Sequence, residues 1–326
     1  RHPKAATLGL RALRYLLYCA KLGLVGKYCR KEGDLAMKNR VPALGAIALG
    51  LLALVLLAPV ASEAQEIQLI IRGDDLGMTQ GSLVAAEKAM NEGVMTCTAI
   101  IVPAPWFEAA AELAGRNPGW CVGGHLCLVG EWRGYRWRPV LPWDKVRSLV
   151  DADGFLYASP GELFRHQPKL AEIDAELRAQ IDLAKRKGVN VQYLDTHYVE
   201  LSDYPGLEAL IRKIARDYDL PISSHMGEKS MESVYSTPVE QKKKRAVEIL
   251  EGLGPGLWLW VCHVGIDSPE QRALIHTAPE DIFVEGGVGL HRAEELKVLT
   301  SLEVKSMILK KGIRLTNYRE LWKQKH

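Results

Sequence analysis

The sequence predicts a single α/β domain in which parallel strands form a (β/α) barrel-like sheet. Short apolar, strand-like runs alternate with stretches of helical periodicity, and three of those runs end in metal-binding side chains. Such alternation indicates a parallel sheet covered by helices. A doubly wound sheet is the alternative. It is disfavoured because no glycine-rich phosphate fingerprint follows the first strand.

The predicted strands and helices follow one another from residue 67 onward. Strand-like runs occupy 67–72, 95–102, 119–124, 189–195, 220–224, 257–262, 281–285 and 313–316. Helical periodicity covers 83–91, 105–114, 172–186, 207–217, 238–250, 293–299 and 301–310. A longer irregular insertion at 129–161 carries Trp132, Trp137 and Trp143. These side chains suit either a wall that stacks on a sugar or buried anchors of the loop.

The first 64 residues differ in composition from the rest. Residues 1–36 precede the first Met and are interpreted as an upstream extension without an assigned function. In 37–64, a basic start, an uncharged run at 41–61 and small residues before a polar stretch are typical of a secretory signal peptide. An apolar run of this length also fits a retained membrane anchor. We therefore expect an exported protein, periplasmic or secreted, with a membrane-anchored one as the alternative.

The remaining residues, 65–326, are enough for one catalytic domain with a full core. The N-terminal 64 residues hold 10 of the 42 Lys and Arg residues and 3 of the 39 acidic residues, so 65–326 is slightly acidic. The dense basic run at 242–245 opens a helix-like stretch and is interpreted as a solvated face. We expect no nucleic-acid partner. The sequence does not specify an oligomeric state.

Candidate metal ligands follow three of the strand-like runs. They lie in the segments Asp74-Asp75, His125 and Asp195-Thr196-His197. A carboxylate with two imidazoles is a common divalent-metal set that leaves positions open for water and substrate. In (β/α) barrels the ends of the strands form one rim, where active sites are built. The pattern predicts a metal-dependent hydrolase.

Other polar groups at strand ends suit proton transfer or orientation. One carboxylate of the Asp74–Asp75 pair can bind a metal while its neighbour stays free as a base. His263 ends another apolar run and suits a general acid, because an imidazole can titrate near neutral pH. Asp195 could orient a neighbouring imidazole instead of binding the metal itself.

Together these motifs resemble those of the YdjC-like carbohydrate deacetylases, a group that includes chitooligosaccharide and hopanoid-pathway deacetylases. The resemblance extends over about residues 67–320 and includes a closing segment at 294–301 followed by 312–315. The motifs that carry it are Asp74-Asp75-Leu76-Gly77, Gly124-His125-Leu126, Asp195-Thr196-His197 and Cys262-His263. It implies a (β/α) barrel-like fold, an N-acetylated sugar as substrate and one divalent metal ion, magnesium or zinc.

The resemblance also implies a role for each site residue. The metal ligands would be Asp75, His125 and His197. Asp74 would be the general base that takes a proton from a metal-activated water, and His263 the general acid that protonates the leaving amine. The chain departs from many members at Arg72-Gly73, where they carry Asn-Ala, and at Tyr198-Val199-Glu200, where further histidines are common. The implied reaction is hydrolysis of an N-acetyl group on an amino sugar.

Three other functions remain open from the residues alone. A glycoside hydrolase needs two carboxylates across the bond and no metal, so two histidines would go unused. A metal-dependent phosphoesterase would share the ligands, but two-metal sites generally need more carboxylates at strand ends. A non-catalytic sugar-binding protein has no need of a base and an acid beside a metal site.

Overall fold

The computed structural model describes residues 66–277 and 286–325, which form a parallel sheet surrounded by helices. Within these ranges seven strands run in the order β4–β3–β2–β1–β6–β5, with β7 paired to β1, and all pairs are parallel. This architecture confirms the predicted (β/α) barrel-like class. The strands are β1 Ile67–Leu76, β2 Cys97–Ile100, β3 Val122–Cys127, β4 Val191–His197, β5 Lys229–Ser230, β6 Gly256–Cys262 and β7 Arg314–Leu315.

Helices follow most of the strands, and every predicted helical segment overlaps one of them. The helices α3, α7 and α10 are additions that the sequence pattern does not predict. No helix in the described ranges is both long and apolar enough to cross a membrane. The helices are α1 Gln80–Asn91, α2 Phe107–Arg116, α3 Pro160–Arg165, α4 Leu170–Arg186, α5 Leu207–Tyr218, α6 Lys242–Gly252, α7 Pro269–Arg272, α8 Val288–Thr300, α9 Leu302–Lys310 and α10 Tyr318–Lys325.

Several predictions fall on residues that are not described. The upstream extension at 1–36, the signal peptide or anchor at 37–64 and the predicted strand at 281–285 lie outside the described residues. The leader and the export that it implies therefore stay predictions.

The central strand β1 positions the first pair of acidic residues. Its residues 69–71 are completely buried. Gly73 pairs with Thr98 of β2 on one side and with Cys262 of β6 on the other. A Cβ at Gly73 would lie 2.2 Å from Met95 Sδ, so a larger residue here would force the Met95 side chain to shift. Because all pairs are parallel, the carboxyl ends of β1, β3, β4 and β6 meet at the same edge of the sheet.

The predicted strand at 220–224 is wrong. Only Ile222 makes a β-bridge there, to Leu194 of β4, and the next paired strand is β5. Pro221 has no backbone N–H to donate to a ladder. Ser224 has a left-handed backbone with φ of 66°, which ends any extended run.

The insertion at 129–161 is largely irregular, as predicted, apart from a 3₁₀ turn at Arg147–Leu149 and the start of α3. Trp132 and Trp137 are buried, whereas the side chain of Trp143 is half exposed. The indole of Trp137 donates a 2.9 Å hydrogen bond to the Val129 carbonyl. Buried tryptophans thus anchor the loop.

The basic run at 242–245 is only partly the solvated face that the sequence predicts. Lys242, the first residue of α6, is completely buried, whereas Lys244 is exposed. The Lys242 ammonium donates to the backbone carbonyls of Val234 and Tyr235, at 2.7 Å for Val234. A buried ammonium is tolerated where such acceptors replace its water.

Candidate active site

The three predicted metal ligands converge at the carboxyl ends of β1, β3 and β4. Asp75 Oδ1 lies 3.6 Å from His125 Nε2 and 3.3 Å from His197 Nδ1. The two imidazole nitrogens are 3.3 Å from each other. All three side chains are buried, and their ligand atoms form a compact triangle suited to an ion.

Local backbone geometry directs Asp75 into this triangle. Its φ is 64°, a left-handed conformation that Asp tolerates better than most residues. The turn continues through Gly77, with φ of 96°, to Thr79, whose side chain caps the first turn of α1. The strand therefore ends abruptly, and the adjacent residues Asp74 and Asp75 do not simply alternate across the sheet.

Two further carboxylates hold the imidazoles. The β3–β4 register pairs His125 with Asp195, and Asp195 Oδ2 lies 2.8 Å from His125 Nδ1. The Glu131 carboxylate lies 3.0 and 3.1 Å from His197 Nε2. His197 Nε2 is within hydrogen-bond geometry of Glu131, whereas the contact between His125 Nδ1 and Asp195 is a short charge contact without hydrogen-bond geometry. In both rings the neighbouring carboxylate favours the proton on the nearer nitrogen. In the neutral rings the lone pairs of His125 Nε2 and His197 Nδ1 therefore face Asp75, as in metal-bound histidines.

This donor set fits a divalent metal ion. Asp75 Oδ1 is buried and has no hydrogen-bond partner among the described residues, while Oδ2 accepts a 2.6 Å hydrogen bond from Arg292. Ligand bonds of about 2.0–2.2 Å, as in zinc sites, put neighbouring ligand atoms roughly 3–3.5 Å apart. The spacing within the triangle agrees with that requirement.

The buried carboxylates around the triangle favour a positive charge at its centre. Burial alone would lower the pKa of His125, but Asp74, Asp195 and Asp75 raise it to about 9. The pKa of His197 is likewise raised well above its usual value, against burial, mainly by Glu131. For Asp75, burial opposes ionisation, yet Arg292 and the two imidazoles hold its pKa well below the usual range. A metal ion or protons can supply this charge.

Asp74, the predicted base, is clamped by Arg72. Two guanidinium nitrogens donate to its carboxylate at 2.6 and 2.7 Å, and a third donates to Asp195 at 2.7 Å. The same nitrogen donates to Ser223, whose hydroxyl lies 2.6 Å from that of Tyr318 on α10. Arg72, a departure from the resembled family, thus joins two buried acids to the last described helix.

His263 lies in the same cavity but is electrostatically different from the other two histidines. Burial lowers its pKa to about 4, so its imidazole is neutral near pH 7. Its Nδ1 has no hydrogen-bond partner in the part of the chain described. Its backbone N–H donates at 2.6 Å to Glu295, which fixes the end of β6 against α8.

All five predicted site residues line one cavity of about 360 Å³. Its wall also includes residues that the sequence reasoning did not assign. Glu131 lies in the irregular insertion and Arg292 in the second turn of α8, so neither is marked by the end of a strand. The lining comprises Asp74, Asp75, His125, Glu131, Trp132, Thr196, His197, Tyr198, Ser233, Tyr235, Ser236, His263 and Arg292.

Comparison with known proteins gives consistent matches over the described domain. A carbohydrate deacetylase of Enterococcus faecalis is 28% identical over 267 residues, covering 78% of this chain and 98% of that protein. A carbohydrate deacetylase of Brevibacillus brevis is 27% identical, with coverage of 78% and 99%.

A crystal structure from Enterococcus faecalis, of a protein described as acting in cellobiose-phosphate cleavage, is 26% identical with a TM-score of 0.62. The alignment covers 78% of this chain and 99% of that one. The family described as YdjC-like protein matches residues 68–310, which is well over half of the chain. The chain therefore belongs to the YdjC-like protein family.

Proposed function

We propose that this protein is a metal-dependent carbohydrate deacetylase that hydrolyses the N-acetyl group of an amino sugar or oligosaccharide. The observation that carries the proposal is the triangle of Asp75, His125 and His197, whose possible ligand atoms lie within 4.8 Å of one another in a cavity that also contains a separate carboxylate and a third imidazole. The relatives described as carbohydrate deacetylases align over nearly their whole length, which supports the same class of substrate.

The triangle would hold one divalent ion, such as magnesium or zinc. When bound, such an ion polarises a carbonyl oxygen and lowers the pKa of a bound water. Asp195 and Glu131 keep both imidazoles in the tautomer that a metal requires. Arg292 donates a hydrogen bond to Oδ2 of Asp75, so Oδ1 is the oxygen that would bind the metal.

Asp74 takes a proton from the attacking water. Its paired hydrogen bonds with Arg72 fix the plane of the carboxylate, so the group presents one orientation to the cavity. Asp74 carries no metal in this scheme, because Arg72 already neutralises it. General base catalysis of this kind contributes about 10²–10⁴ in rate.

His263 protonates the amine as it leaves. Its neutral imidazole receives the proton that Asp74 has taken from the attacking water and passes it to the amine nitrogen as the C–N bond breaks. Because the pKa of His263 is lowered to about 4, the imidazolium gives that proton up readily. Glu295 holds the backbone of His263 in place through a 2.6 Å hydrogen bond. Protonation prevents the amine from being re-acylated.

A two-metal phosphoesterase is the nearest alternative. Asp74, His125 and Asp195 also lie close enough together to form a ligand group. However, Arg72 donates to both Asp74 and Asp195, and a guanidinium in that position competes with a second cation. This arrangement favours the single-metal reaction over the two-metal one.

The test is acetate release from a panel of N-acetylated sugars by the full-length, metal-loaded protein. We expect release that a chelator abolishes and metal re-addition restores. Asp74→Asn should retain the metal but lose about 10²–10⁴ in kcat. His125→Ala should lose the metal itself, because one of three ligands is gone.

Two results would count against the proposal. A metal-loaded protein that releases no acetate from any substrate would favour a phosphoesterase, a glycoside hydrolase or a non-catalytic sugar-binding protein. Assays with sugar phosphates and glycosides would then separate these possibilities. A protein that binds no metal would remove the basis of the assignment.

A further inference from the structure

Tyr198 follows the candidate ligand His197 directly and has an unusual backbone conformation. Its φ is 58°, in the left-handed region that L-residues with large side chains rarely adopt. Residues persist in this region when the surrounding structure imposes it, and such positions cluster at functional sites. The strain alone assigns no role, so the side chain has to be considered.

The Tyr198 side chain is half-buried and lines the cavity that contains the metal ligands. Behind it, the His276 ring meets the Tyr198 ring edge-on, with centroids 5.6 Å apart and an angle of 84°. His276 meets Trp132 in the same manner, at 5.7 Å and 87°. We call Trp132, His276 and Tyr198 the aromatic wall.

The backbone fixes the rear of the aromatic wall. Trp132 and His276 form an antiparallel β-bridge, and the Arg133 N–H donates to the Ile275 carbonyl at 2.8 Å. Trp132 is buried. Tyr198 is thus the member that remains partly accessible, and its ring is supported by groups that cannot easily move.

The aromatic wall lies close to the reacting group. The Tyr198 and His197 ring centroids are 6.5 Å apart. In an N-acetyl amino sugar only the amide nitrogen separates the acetyl carbonyl from the sugar ring. A substrate whose acetyl group reaches His197 therefore brings its sugar ring within the distance at which Tyr198 lies. Ser233 and Ser236 in the same cavity supply hydroxyls that can bond sugar hydroxyls.

We propose that Tyr198 is the platform on which the pyranose ring of the substrate stacks, and that it sets the specificity for a cyclic sugar. The apolar face of the sugar meets the face of the tyrosine ring, which supplies a large and rigid apolar surface. The left-handed backbone holds the ring in the wall instead of letting it turn to solvent. This inference rests on the proposed deacetylase function.

Three variants at this position separate the ring from the backbone. Tyr198→Phe keeps the ring, Tyr198→Ala removes it, and Tyr198→Gly removes it and also relieves the left-handed strain. With N,N′-diacetylchitobiose as substrate, we expect KM to rise about five-fold in the Ala and Gly variants and to stay near wild type in Phe. We expect kcat to change little in all three.

The control substrate is N-acetylethanolamine, which carries the same amide without a ring. Its kcat/KM should be the same in wild type, Tyr198→Ala and Tyr198→Gly. We also expect Tyr198→Gly to melt roughly 2–4 °C above Tyr198→Ala, because glycine adopts the positive φ without steric cost.

An unchanged KM for diacetylchitobiose in Tyr198→Ala would overturn the platform. An equal loss with N-acetylethanolamine would also overturn it, because Tyr198 would then act on the metal site. If the wild type releases no acetate, the proposed function fails separately. Tryptophan-fluorescence titration with diacetylchitobiose is then the measurement. Weaker binding by Tyr198→Ala than by the wild type supports the platform. Equal affinity in the two proteins, or no binding by the wild type, refutes it.

Discussion

Glu131 and Asp195 are acidic residues that orient the two imidazoles without occupying the triangle themselves. Asp195 approaches His125 Nδ1 to 2.8 Å, and Glu131 approaches His197 Nε2 to 3.0 Å. In each ring the opposite nitrogen is then unprotonated, and its lone pair can bind a metal ion. In the proposed metal site, the carboxylate on the far side of each ring therefore determines which ring nitrogen binds the metal.

We predict that Glu131→Gln weakens metal binding by about 10–100-fold, because an amide can hold either tautomer of His197. Isothermal titration of the metal-free protein with zinc measures this change. Glu87→Gln, on the exposed face of α1, is the matched control and should bind zinc like the wild type. Wild-type affinity in Glu131→Gln would mean that Glu131 does not select the tautomer.

The sequence predicted these residues unequally. Asp195 could be assigned an orienting role because it lies on the same strand as His197 and near the rim. Glu131 belongs to an irregular insertion whose path has no periodicity, so no pattern relates it to the ends of β3 and β4. Arg292 comes from a helix, and only tertiary packing brings it to Asp75.

At the scale of elements, a buried lysine connects a loop to the site. Lys242 at the start of α6 donates to the carbonyls of Val234 and Tyr235, and its Nζ lies 3.8 Å from Glu295. Burial raises the pKa of Glu295 to about 7 even though Lys242 opposes this change. The loop at 233–236 contributes three residues to the cavity, so its position depends on this lysine.

Lys242→Met should lower the free energy of unfolding by about 2 kcal/mol, because it removes the charged hydrogen bonds that two backbone carbonyls accept and leaves each with one other donor. It should also raise KM, since Ser233 and Ser236 lose their support. Urea unfolding and steady-state kinetics measure the two effects. Lys244→Met, whose side chain is 83% exposed, should change neither. If both variants were equally stable, the buried hydrogen bonds would not hold the loop.

Sequence patterns could not find this connection. A run of four basic residues is typical of a solvated helix face, and Lys243, Lys244 and Arg245 do form surface ion pairs. Lys242 differs only in the direction that it faces at the first turn of the helix. The predicted strand at 220–224 fails for a different reason: β4 lies beside it, but Pro221 and the left-handed Ser224 limit the pairing to one bridge.

At the scale of the whole molecule, the predicted fold holds because alternation and strand-end ligands are both consequences of a parallel sheet. The ends of β1, β3, β4 and β6 carry Asp74, Asp75, His125, His197 and His263 into one cavity. This convergence requires no detail beyond strand order, which explains why these five residues could be chosen from the sequence. The walls between them come from loops and helices.

Removal of the metal should make stability depend on pH. The folded pKa of His125 is about 9 and its usual value is 6.5, so its protonation stabilises the metal-free fold fully below about pH 6.5. That contribution is lost as the pH rises through about 9. We expect the metal-free melting temperature to fall by roughly 5 °C between these limits. The metal-loaded protein should vary less, because an ion replaces the proton.

Thermal melts of the chelated and zinc-loaded protein across this range are the measurement. His125→Gln should flatten the metal-free profile, whereas His166→Gln, at an exposed position, should preserve it. A metal-free wild type as insensitive to pH as His125→Gln would show that protons do not occupy the triangle.

The link from Asp74 through Arg72 and Ser223 to Tyr318 has a practical consequence for handling the protein. Tyr318 begins α10, so the position of Asp74, the proposed base, depends on a helix that follows the last strand of the sheet. Because Tyr318 is completely buried against Tyr193 of β4, proteolytic cleavage before this helix would remove a support of Arg72 and leave a cavity beside that strand. Under the proposed function, a preparation that lacks this helix should turn over more slowly than the intact protein, so intact mass should be checked before any rate is compared.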